Sequence, residues 1–244
     1  MTPPVQKVAL VTGGGRRVGR SLAWALAQDG FRVAIHYHAS DAPAQELARE
    51  IAAAGLPAAA VFSADLRDAA KAESLPRQVV AQLGRLDVLV NSAAVMLKQP
   101  FGTVTPAMWD DVLNLNVRAG FFTAQGAAPA LKAQHGAIIN IADLAAFDVW
   151  PSYLPHNVSK AGVEMLTRGL ARVLAPEVRV NAIAPGAVLL PDGSSAEEVA
   201  GAVKRAPLRR LGEPADVVGA MRYLLAAPYV TGVTITVDGG QRVQ

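Results

Sequence analysis

A glycine-rich turn near the start of the chain has the composition of a phosphate-binding loop. The segment Val11–Arg20 reads VTGGGRRVGR and lies between an apolar run and a helical pattern. Glycines allow a backbone to approach a pyrophosphate closely, and a helix N-terminus supplies N–H donors and partial positive charge. The last glycine comes one residue later than in G-x-G-x-x-G, and a plain tight turn is the alternative. The predicted cofactor contacts are Gly13, Arg16, Arg17, Val18 and Gly19.

The end of the second predicted strand favours NADP(H) over NAD(H). Enzymes that select NAD place a carboxylate there to bind the ribose. Here the run is His36-Tyr37-His38-Ala39-Ser40, and the first acid is Asp41, which is predicted to cap a helix. Arginine binds phosphate through bidentate, charge-assisted hydrogen bonds. We therefore predict that Arg17, His38 and Ser40 lie near a 2′-phosphate, with His36 and Tyr37 also contacting the cofactor. Either histidine alone would be better explained as a surface or sheet residue, but beside Arg17 a role in phosphate binding is favoured.

A repeating strand–helix pattern must position these residues. The predicted strands are Val8–Val11, Arg32–His36, Ala59–Ser63, Leu86–Asn91, Ala137–Ile141, Val178–Ala184 and Thr234–Val237. The predicted helices are Val18–Gln28, Ala42–Ala54, Ala69–Leu83, Pro106–Lys132, His156–Leu174 and Pro214–Ala226. Several strands are apolar without alternation, which indicates helices on both faces of a sheet. We predict one α/β domain over residues 1–244, with a Rossmann-like, doubly wound parallel sheet of about seven strands.

One stretch, residues 186–211, has no clear place in the sheet. It contains Pro191, Gly193 and a helical piece at Ala196–Arg205, and it follows a strand end. Doubly wound sheets bind ligands at such ends, so we predict a substrate loop there. An ordinary surface excursion is the alternative.

Composition excludes several classes of protein. The chain has 244 residues, of which 52% are hydrophobic and 18% charged, so a disordered chain is not expected. Apolar runs are too short to span a membrane, the N-terminal segment MTPPVQK has no signal-like apolar stretch, and there is no cysteine. We expect a cytoplasmic protein. A net charge of +3 and 5% aromatic residues do not suggest a nucleic-acid binder, and the four histidines lack metal-ligand spacing.

The glycine-rich turn resembles the Thr-Gly-x-x-x-Gly-x-Gly cofactor loop of the short-chain dehydrogenase/reductase family. Arg17, where most members carry glycine, resembles the pteridine reductases and the bacterial dihydromonapterin (dihydrofolate) reductases. Further similar segments extend over essentially the whole chain: Asp65-Leu66, Asn91-Ser92-Ala93-Ala94, Asn116, Pro185-Gly186 and Asp238-Gly239-Gly240. The resemblance implies cofactor contacts from Asp65, Leu66, Asn91, Ser92, Ala93, Pro185 and Gly186.

The family's catalytic motif, Tyr-x-x-x-Lys, is altered in this chain. Residues four apart share a helical face, and Lys160 matches the lysine, but His156 stands where the tyrosine would be. Tyr153 is seven residues before the lysine and does not match the spacing. Asp143 occupies the position of the usual serine, as in the pteridine reductases. The resemblance implies that Lys160 holds the nicotinamide ribose and that Asn116 helps to hold a water relay to it.

Three interpretations of His156 remain open. Asp143 and His156 can form a working general acid, because a free imidazole has a pKa of about 6.5, against about 10 for a phenol. A neutral His156 can merely donate a hydrogen bond while Asp143 or a water carries the proton. Proton delivery can also be lost, which would leave an NADP(H)-binding sensor or partner protein with a degenerate site.

The substrate side departs from the pteridine reductases. They stack the pterin on an aromatic residue where this chain has Met96, while Phe147, Trp150 and Tyr153 lie where relatives line the substrate pocket. We expect an NADPH-dependent reductase of a C=N or C=O bond, with a pteridine substrate favoured and a ketone or 3-oxoacyl compound as the competitor. The resemblance also implies a homo-oligomer, with a tetramer favoured, whose faces are the long helices and the segment Val230–Val237.

Overall fold

A seven-stranded parallel sheet is the centre of the molecule. The structure is a computed structural model that describes residues 6–190 and 193–243. The strands are β1 (Val8–Thr12), β2 (Arg32–Tyr37), β3 (Ala60–Ser63), β4 (Val88–Asn91), β5 (Ala137–Ile141), β6 (Arg179–Pro185) and β7 (Thr234–Val237). They lie in the order β3-β2-β1-β4-β5-β6-β7, and every neighbouring pair is parallel. The predicted fold class is confirmed, and the strand order reverses between β1 and β4, where such sheets bind ligands.

Helices cover both faces of this sheet. They are α1 (Arg17–Gln28), α2 (Asp41–Ala53), α3 (Ala69–Leu83), α4 (Pro106–Leu113), α5 (Ala119–Ala133), α6 (Leu154–Leu174), α7 (Ala196–Arg205) and α8 (Pro214–Ala226). One core packs strand residues such as Leu89 and Ile138 against α3, α5 and α6. A second core packs Val90 and Ile139 against α1, α2 and α8. Neighbouring strand residues therefore point into opposite cores, which explains the continuous apolar runs.

One local prediction is refined and another is wrong. Pro106–Lys132 is helical throughout, but a π-helical turn at Asn114–Arg118 separates α4 from α5. This wider turn directs Asn116 inward, where its side chain bonds to a neighbouring loop, and such turns are common at functional sites. Asp41 does not cap α2, because it is the first residue of that helix and Ser40 occupies the cap position without a side-chain bond.

Some predictions fall on residues outside the described ranges. These residues are the first five of the N-terminal segment and, in the predicted substrate loop, Pro191 and Asp192. Within the described ranges, none of the helices combines the length and the apolar character needed to cross a membrane.

Candidate active site

The turn after β1 has the geometry of an anion-binding loop. Gly13 adopts a left-handed backbone with φ of 64°, and a Cβ at Gly19 would lie 2.4 Å from the carbonyl oxygen of Gly13. Only glycine permits that approach, because real Cβ atoms are not found so close to another heavy atom. No side chain caps the N-terminus of α1, where Arg16 precedes the first turn. The N–H groups at this helix end are thus directed to the loop, where a phosphate would bind.

Thr12 joins this loop to the end of β4. Its hydroxyl oxygen accepts hydrogen bonds from the backbone N–H groups of Ser92, at 3.0 Å, and Ala93, at 3.1 Å. The side chain of Asn91 is directed inward and donates to the side-chain oxygen of Asn140 at 3.0 Å. Of the predicted cofactor segment 91–93, Asn91 therefore braces the sheet, while Ser92 and Ala93 form the wall opposite the glycine-rich loop.

His36 supports the glycine-rich loop from within the protein. Its Nδ1 accepts a hydrogen bond from the backbone N–H of Gly13 at 3.1 Å, and its Nε2 lies 3.0 Å from the carbonyl oxygen of Ala64. A carbonyl only accepts, so the ring is neutral with its proton on Nε2. Burial is the main cause that lowers the pKa of His36 to about 4. Both ring nitrogens are thus engaged within the protein, where they hold the glycine-rich loop against β2.

Because of His36, we expect the stability of the protein to fall in mild acid. Its pKa is about 4 when folded against 6.5 in a model peptide, so the unfolded chain takes up the proton first as pH falls. The stabilisation present above pH 6.5 is lost on the way to pH 4 and amounts to about 3 kcal/mol. The free energy of unfolding, measured with urea, should fall between pH 7 and pH 4.5 in the native protein. In His36→Asn this fall should be smaller by about 2–3 kcal/mol.

The matched control for this measurement is His38→Asn, because His38 has a half-exposed side chain. That variant should keep the acid sensitivity of the native protein. Equal acid losses in native protein and His36→Asn would show that His36 does not carry the effect.

The predicted 2′-phosphate region is basic and open. Arg17 has φ of 50°, an uncommon value for a residue other than glycine, and its guanidinium donates to the carbonyl oxygen of Leu189. His38 lies 4.0 Å from the carboxylate of Asp65, which also contacts Arg67. Burial raises the pKa of Asp65, but the Arg67 N–H and the charges of His38 and Arg67 outweigh it and lower the pKa overall. Arg17 also connects the glycine-rich loop to the predicted substrate loop.

Asp143 and His156 are in direct contact. Asp143 follows β5 and its Oδ2 lies 2.7 Å from Nε2 of His156 in the first turn of α6. The other oxygen of Asp143 accepts the backbone N–H of Ala145 at 2.9 Å. The His156 side chain is 2% exposed and that of Asp143 20% exposed. The two predicted proton-handling residues are therefore one hydrogen-bonded pair, in which the carboxylate is the more accessible partner.

Lys160 lies one helical turn beyond His156 and is buried. Its ammonium donates to the carbonyl oxygen of Ile141 at 2.9 Å. Burial lowers the pKa of Lys160, and the charge of Asp143 opposes this only in part. Burial raises the pKa of Asp143, yet the His156 hydrogen bond and the Lys160 charge outweigh it, so that the pKa of Asp143 is lowered overall. The site thus favours a carboxylate between two cationic or hydrogen-bonding partners.

Asn116 is held by groups that the sequence did not reveal. Its side-chain oxygen accepts the backbone N–H of Val95 and its amide donates to the carbonyl oxygen of Val95, both at 2.9 Å. The amide also donates to Ser159 Oγ at 2.9 Å. The side-chain hydrogen bonds of Asn116 do not include Lys160, so a link between the two residues would need a bridging water. A cavity of about 20 Å³, enough for one water, is lined by both residues.

Aromatic side chains lie beside the pair, as the prediction of a substrate wall requires. The rings of Trp150 and His156 are nearly parallel, with centroids 6.2 Å apart, and Tyr153 packs edge-on against Trp150. Met96 and Phe147 are both exposed. The guanidinium of Arg242 lies 3.9 Å from the centre of the Phe147 ring, a cation–π contact that the sequence analysis missed.

The remaining predicted residues lie at the same edge of the sheet. Pro185 ends β6, and the N–H of Gly186 donates to the carbonyl oxygen of Val237 at 3.0 Å. Leu66, which follows β3, is buried in the core that contains α3, α5 and α6. The predicted helix Ala196–Arg205 is present as α7 and begins with a capping box formed by Ser195 and Glu198. Across residues 6–190 and 193–243, no three His, Asp or Glu side chains are grouped to hold a metal.

Comparison with known proteins finds close similarity over nearly the whole chain. Residues 15–242 match a family described as enoyl-(acyl carrier protein) reductase. The 3-oxoacyl-[acyl-carrier-protein] reductase FabG of Staphylococcus aureus (strain Mu50) is 37% identical over 240 residues, which are 96% of this chain and 97% of the relative.

Solved structures agree with this similarity. A putative short-chain alcohol dehydrogenase from Sinorhizobium meliloti 1021 superposes with a TM-score of 0.92 at 33% identity, covering 98% of this chain and 97% of the other. FolM alternative dihydrofolate reductase 1 from Brucella suis, in complex with NADP, also has a TM-score of 0.92, at 32% identity, covering 98% of this chain and 96% of the other.

Proposed function

The chain belongs to the short-chain dehydrogenase/reductase family, and on that premise we propose that it is an NADPH-dependent reductase of a C=N or C=O bond, with a pterin-like substrate favoured. The observation that carries the proposal is the contact of 2.7 Å between Asp143 and His156, one helical turn from Lys160. A reductase needs a proton donor beside the atom that gains electrons, and this titratable pair lies next to the aromatic side chains of Trp150 and Tyr153.

The glycine-rich loop suits a dinucleotide. The close packing of Gly19 on Gly13 and the uncapped N-terminus of α1 leave N–H donors for a pyrophosphate. Arg17, His38 and Ser40 would hold the 2′-phosphate, and Lys160 the nicotinamide ribose. NADPH, when bound, supplies the hydride, while the side chains of the protein supply orientation and the proton.

Arg17→Gly should reduce the preference for NADPH. Glycine accepts the positive φ of this position, so the variant removes the guanidinium without straining the backbone. A charge-assisted hydrogen bond contributes about 1.5–3 kcal/mol, which predicts a Kd for NADPH about 10–100-fold higher. Fluorescence titration would measure it. NADH, which lacks the 2′-phosphate, is the internal control, and an equal loss for both cofactors would contradict the role of Arg17.

Two residues favour a pterin-like substrate. Asp143 and Arg17 resemble the pteridine reductases at the positions of the usual serine and glycine, and the similarity to the FolM structure supports the same choice. A planar heterocycle would pack between the aromatic wall at Trp150 and Tyr153 and the exposed side chain of Met96. Residues 186–211, attached to Arg17 through Leu189, would act as the substrate loop.

The second candidate is a reductase of a ketone or 3-oxoacyl compound. It is favoured by the 37% identity to FabG of Staphylococcus aureus. Met96, at the position where pteridine reductases have an aromatic residue, also favours it. An aliphatic substrate would need no flat stacking partner.

NADPH oxidation with dihydrobiopterin, dihydrofolate and acetoacetyl-CoA tests the proposal. We expect turnover of a dihydropterin to exceed turnover of the thioester. Faster turnover of acetoacetyl-CoA would favour the second candidate. Tight NADPH binding without turnover of any carbonyl or pterin compound would instead favour a binding protein with a degenerate site, and failure to bind NADPH at micromolar concentration would overturn the proposal entirely.

We propose that the working form is a cytoplasmic homotetramer. Exposed apolar side chains on α5 and α6, among them Phe121, Met165 and Val173, support a helical interface, and exposed Val233 beside β7 supports a second one. Sedimentation that shows only monomer at micromolar concentration would contradict this assembly.

A further inference from the structure

The peptide group of Val95 fixes the orientation of the Asn116 amide. The Val95 N–H can only donate, so the atom of Asn116 that it meets at 2.9 Å is the side-chain oxygen. The amide nitrogen then faces the Val95 carbonyl oxygen and Ser159 Oγ, both at 2.9 Å. Ser159 donates its own proton to the carbonyl oxygen of His156 at 2.7 Å and therefore accepts from Asn116. Both hydrogens of the Asn116 amide are consequently used.

This arrangement decides which nitrogen of His156 carries a proton. His156 Nδ1 lies 3.1 Å from the Val95 carbonyl oxygen and 3.4 Å from the Asn116 amide nitrogen. The carbonyl oxygen only accepts, and the amide has no hydrogen left to donate. Nδ1 must therefore carry a proton and donate it to Val95, because a lone pair there would face a carbonyl oxygen.

The other nitrogen of His156 then needs a proton as well. Nε2 lies 2.7 Å from Oδ2 of Asp143. A neutral ring with its proton on Nδ1 would direct the Nε2 lone pair at a carboxylate oxygen, which is repulsive at this distance unless a proton lies between the two atoms. The pair therefore contains one proton more than a neutral imidazole and a carboxylate would have.

From this geometry, and resting on the proposed reductase function, we infer that Asp143 and His156 store the catalytic proton as an ion pair, and that Asp143 hands it to the substrate. His156 is a positioning residue, because it is buried and both of its nitrogens are occupied within the protein. Trp150 also lies alongside its ring. Asp143, with the more exposed side chain, is the catalytic residue.

The charges around the pair fit this division of roles. The ammonium of Lys160, on the same helix, favours the carboxylate form of Asp143. On the other described elements that contact the pair, Asn116 and Trp150 are uncharged, and Tyr153, which packs on Trp150, carries a titratable phenol. Asp143 stays a carboxylate beside the nitrogen groups of His156 and Lys160. The stored proton is therefore on His156 Nε2 in the resting state.

Atoms and electrons balance in the transfer. Bound NADPH would supply the hydride to the substrate carbon, and the substrate nitrogen or oxygen would take a proton from the carboxyl group of Asp143. The N–H bond at His156 Nε2 breaks and the corresponding O–H bond forms at Asp143, before that O–H bond breaks toward the substrate. The pair ends as a neutral imidazole and a carboxylate, and solvent returns one proton.

Nuclear magnetic resonance of protein containing ¹⁵N-labelled histidine tests where the proton lies. The chain has four histidines, so His156 is identified from His156→Gln or, by elimination, from His36→Asn, His38→Gln and His135→Gln. At about pH 8 we expect His156 to keep two protonated ring nitrogens in the native protein. In Asp143→Asn, only Nδ1 should remain protonated. A neutral ring in the native protein, or an unchanged charge in Asp143→Asn, would overturn the inference.

A kinetic comparison of two variants shows which residue of the pair donates the proton to the substrate. In His156→Gln, Asp143 can still be protonated from solvent, so turnover should rise by about tenfold per pH unit from pH 7 toward pH 5. Asp143→Asn should show no such recovery. If turnover recovered at acidic pH in Asp143→Asn but not in His156→Gln, His156 would be the direct donor. That result would overturn the assignment of Asp143 as the donor. If the native protein reduces no substrate, the proposed function fails, and the resonance measurement still decides the proton's position.

Discussion

Asp143→Asn should lower turnover by about 10³-fold while leaving NADPH affinity within about twofold of the native value. Asparagine has nearly the shape of aspartate, and its oxygen can still accept the N–H of Ala145. Its amide group cannot release a proton at neutral pH, so the substrate loses its donor. Hydride transfer would then have to await a proton from water. Single-turnover measurement of NADPH oxidation isolates this step from binding and product release.

The control for this prediction is Asp110→Asn, an equivalent change at an exposed position on α4. It should leave turnover unchanged within about twofold, because surface substitutions rarely affect stability or a distant site. If Asp143→Asn retained a rate near that of the native protein, the carboxyl group could not be the proton source. A parallel loss of NADPH binding would instead indicate that Asp143 mainly balances the charge of Lys160.

The fold was predictable because its physical signals are local and strong. Buried parallel strands such as Ala137–Ile141 are short apolar runs, and helices such as Ala69–Leu83 carry a clear period with a cap at one end and a glycine at the other. The loop at Gly13–Gly19 was recognisable because its first and last positions accept only glycine. These signals depend on neighbours in sequence, so they can be read without the tertiary structure.

The interior of the site was less predictable because it depends on backbone groups from distant segments. The Val95 peptide that orders Asn116 and His156 belongs to a loop with no distinguishing side chain. The π turn around Asn116 likewise accompanies bonds from its side chain to Val95 and Ser159, which lie far from it in the sequence. His36 resembled a ligand residue by its place at a strand end, yet the N–H of Gly13 and the carbonyl of Ala64 use its ring fully.

The two departures from the usual family residues support each other electrostatically. An imidazolium at position 156 next to Lys160 would place two positive charges in a buried space. The carboxylate of Asp143 lies 2.7 Å from His156, interacts with the charge of Lys160 and neutralises one of the two positive charges. A serine at position 143 could accept a hydrogen bond but could not balance that charge. Histidine at position 156 is therefore compatible with this site because aspartate occupies position 143.

His156→Tyr should change the pH dependence of reduction more than its maximal rate. A phenol keeps its proton to about pH 10, and tyrosine beside Lys160 could donate directly to the substrate. In the native protein, the rate should fall about tenfold per pH unit once the Asp143–His156 pair loses its stored proton. Above that pH, the ratio of variant to native turnover should therefore rise by about tenfold per pH unit. Turnover would be measured with saturating NADPH between pH 5 and pH 10.

Equal NADPH affinity in native protein and His156→Tyr is the control that the site remains assembled. Two superimposable pH profiles would mean that the residue at position 156 takes no part in proton storage. Turnover in the variant alone would mean that histidine has switched off a competent pocket. We expect turnover to fall at alkaline pH in the native protein alone. That result follows if the proton that reaches the substrate is first held by His156.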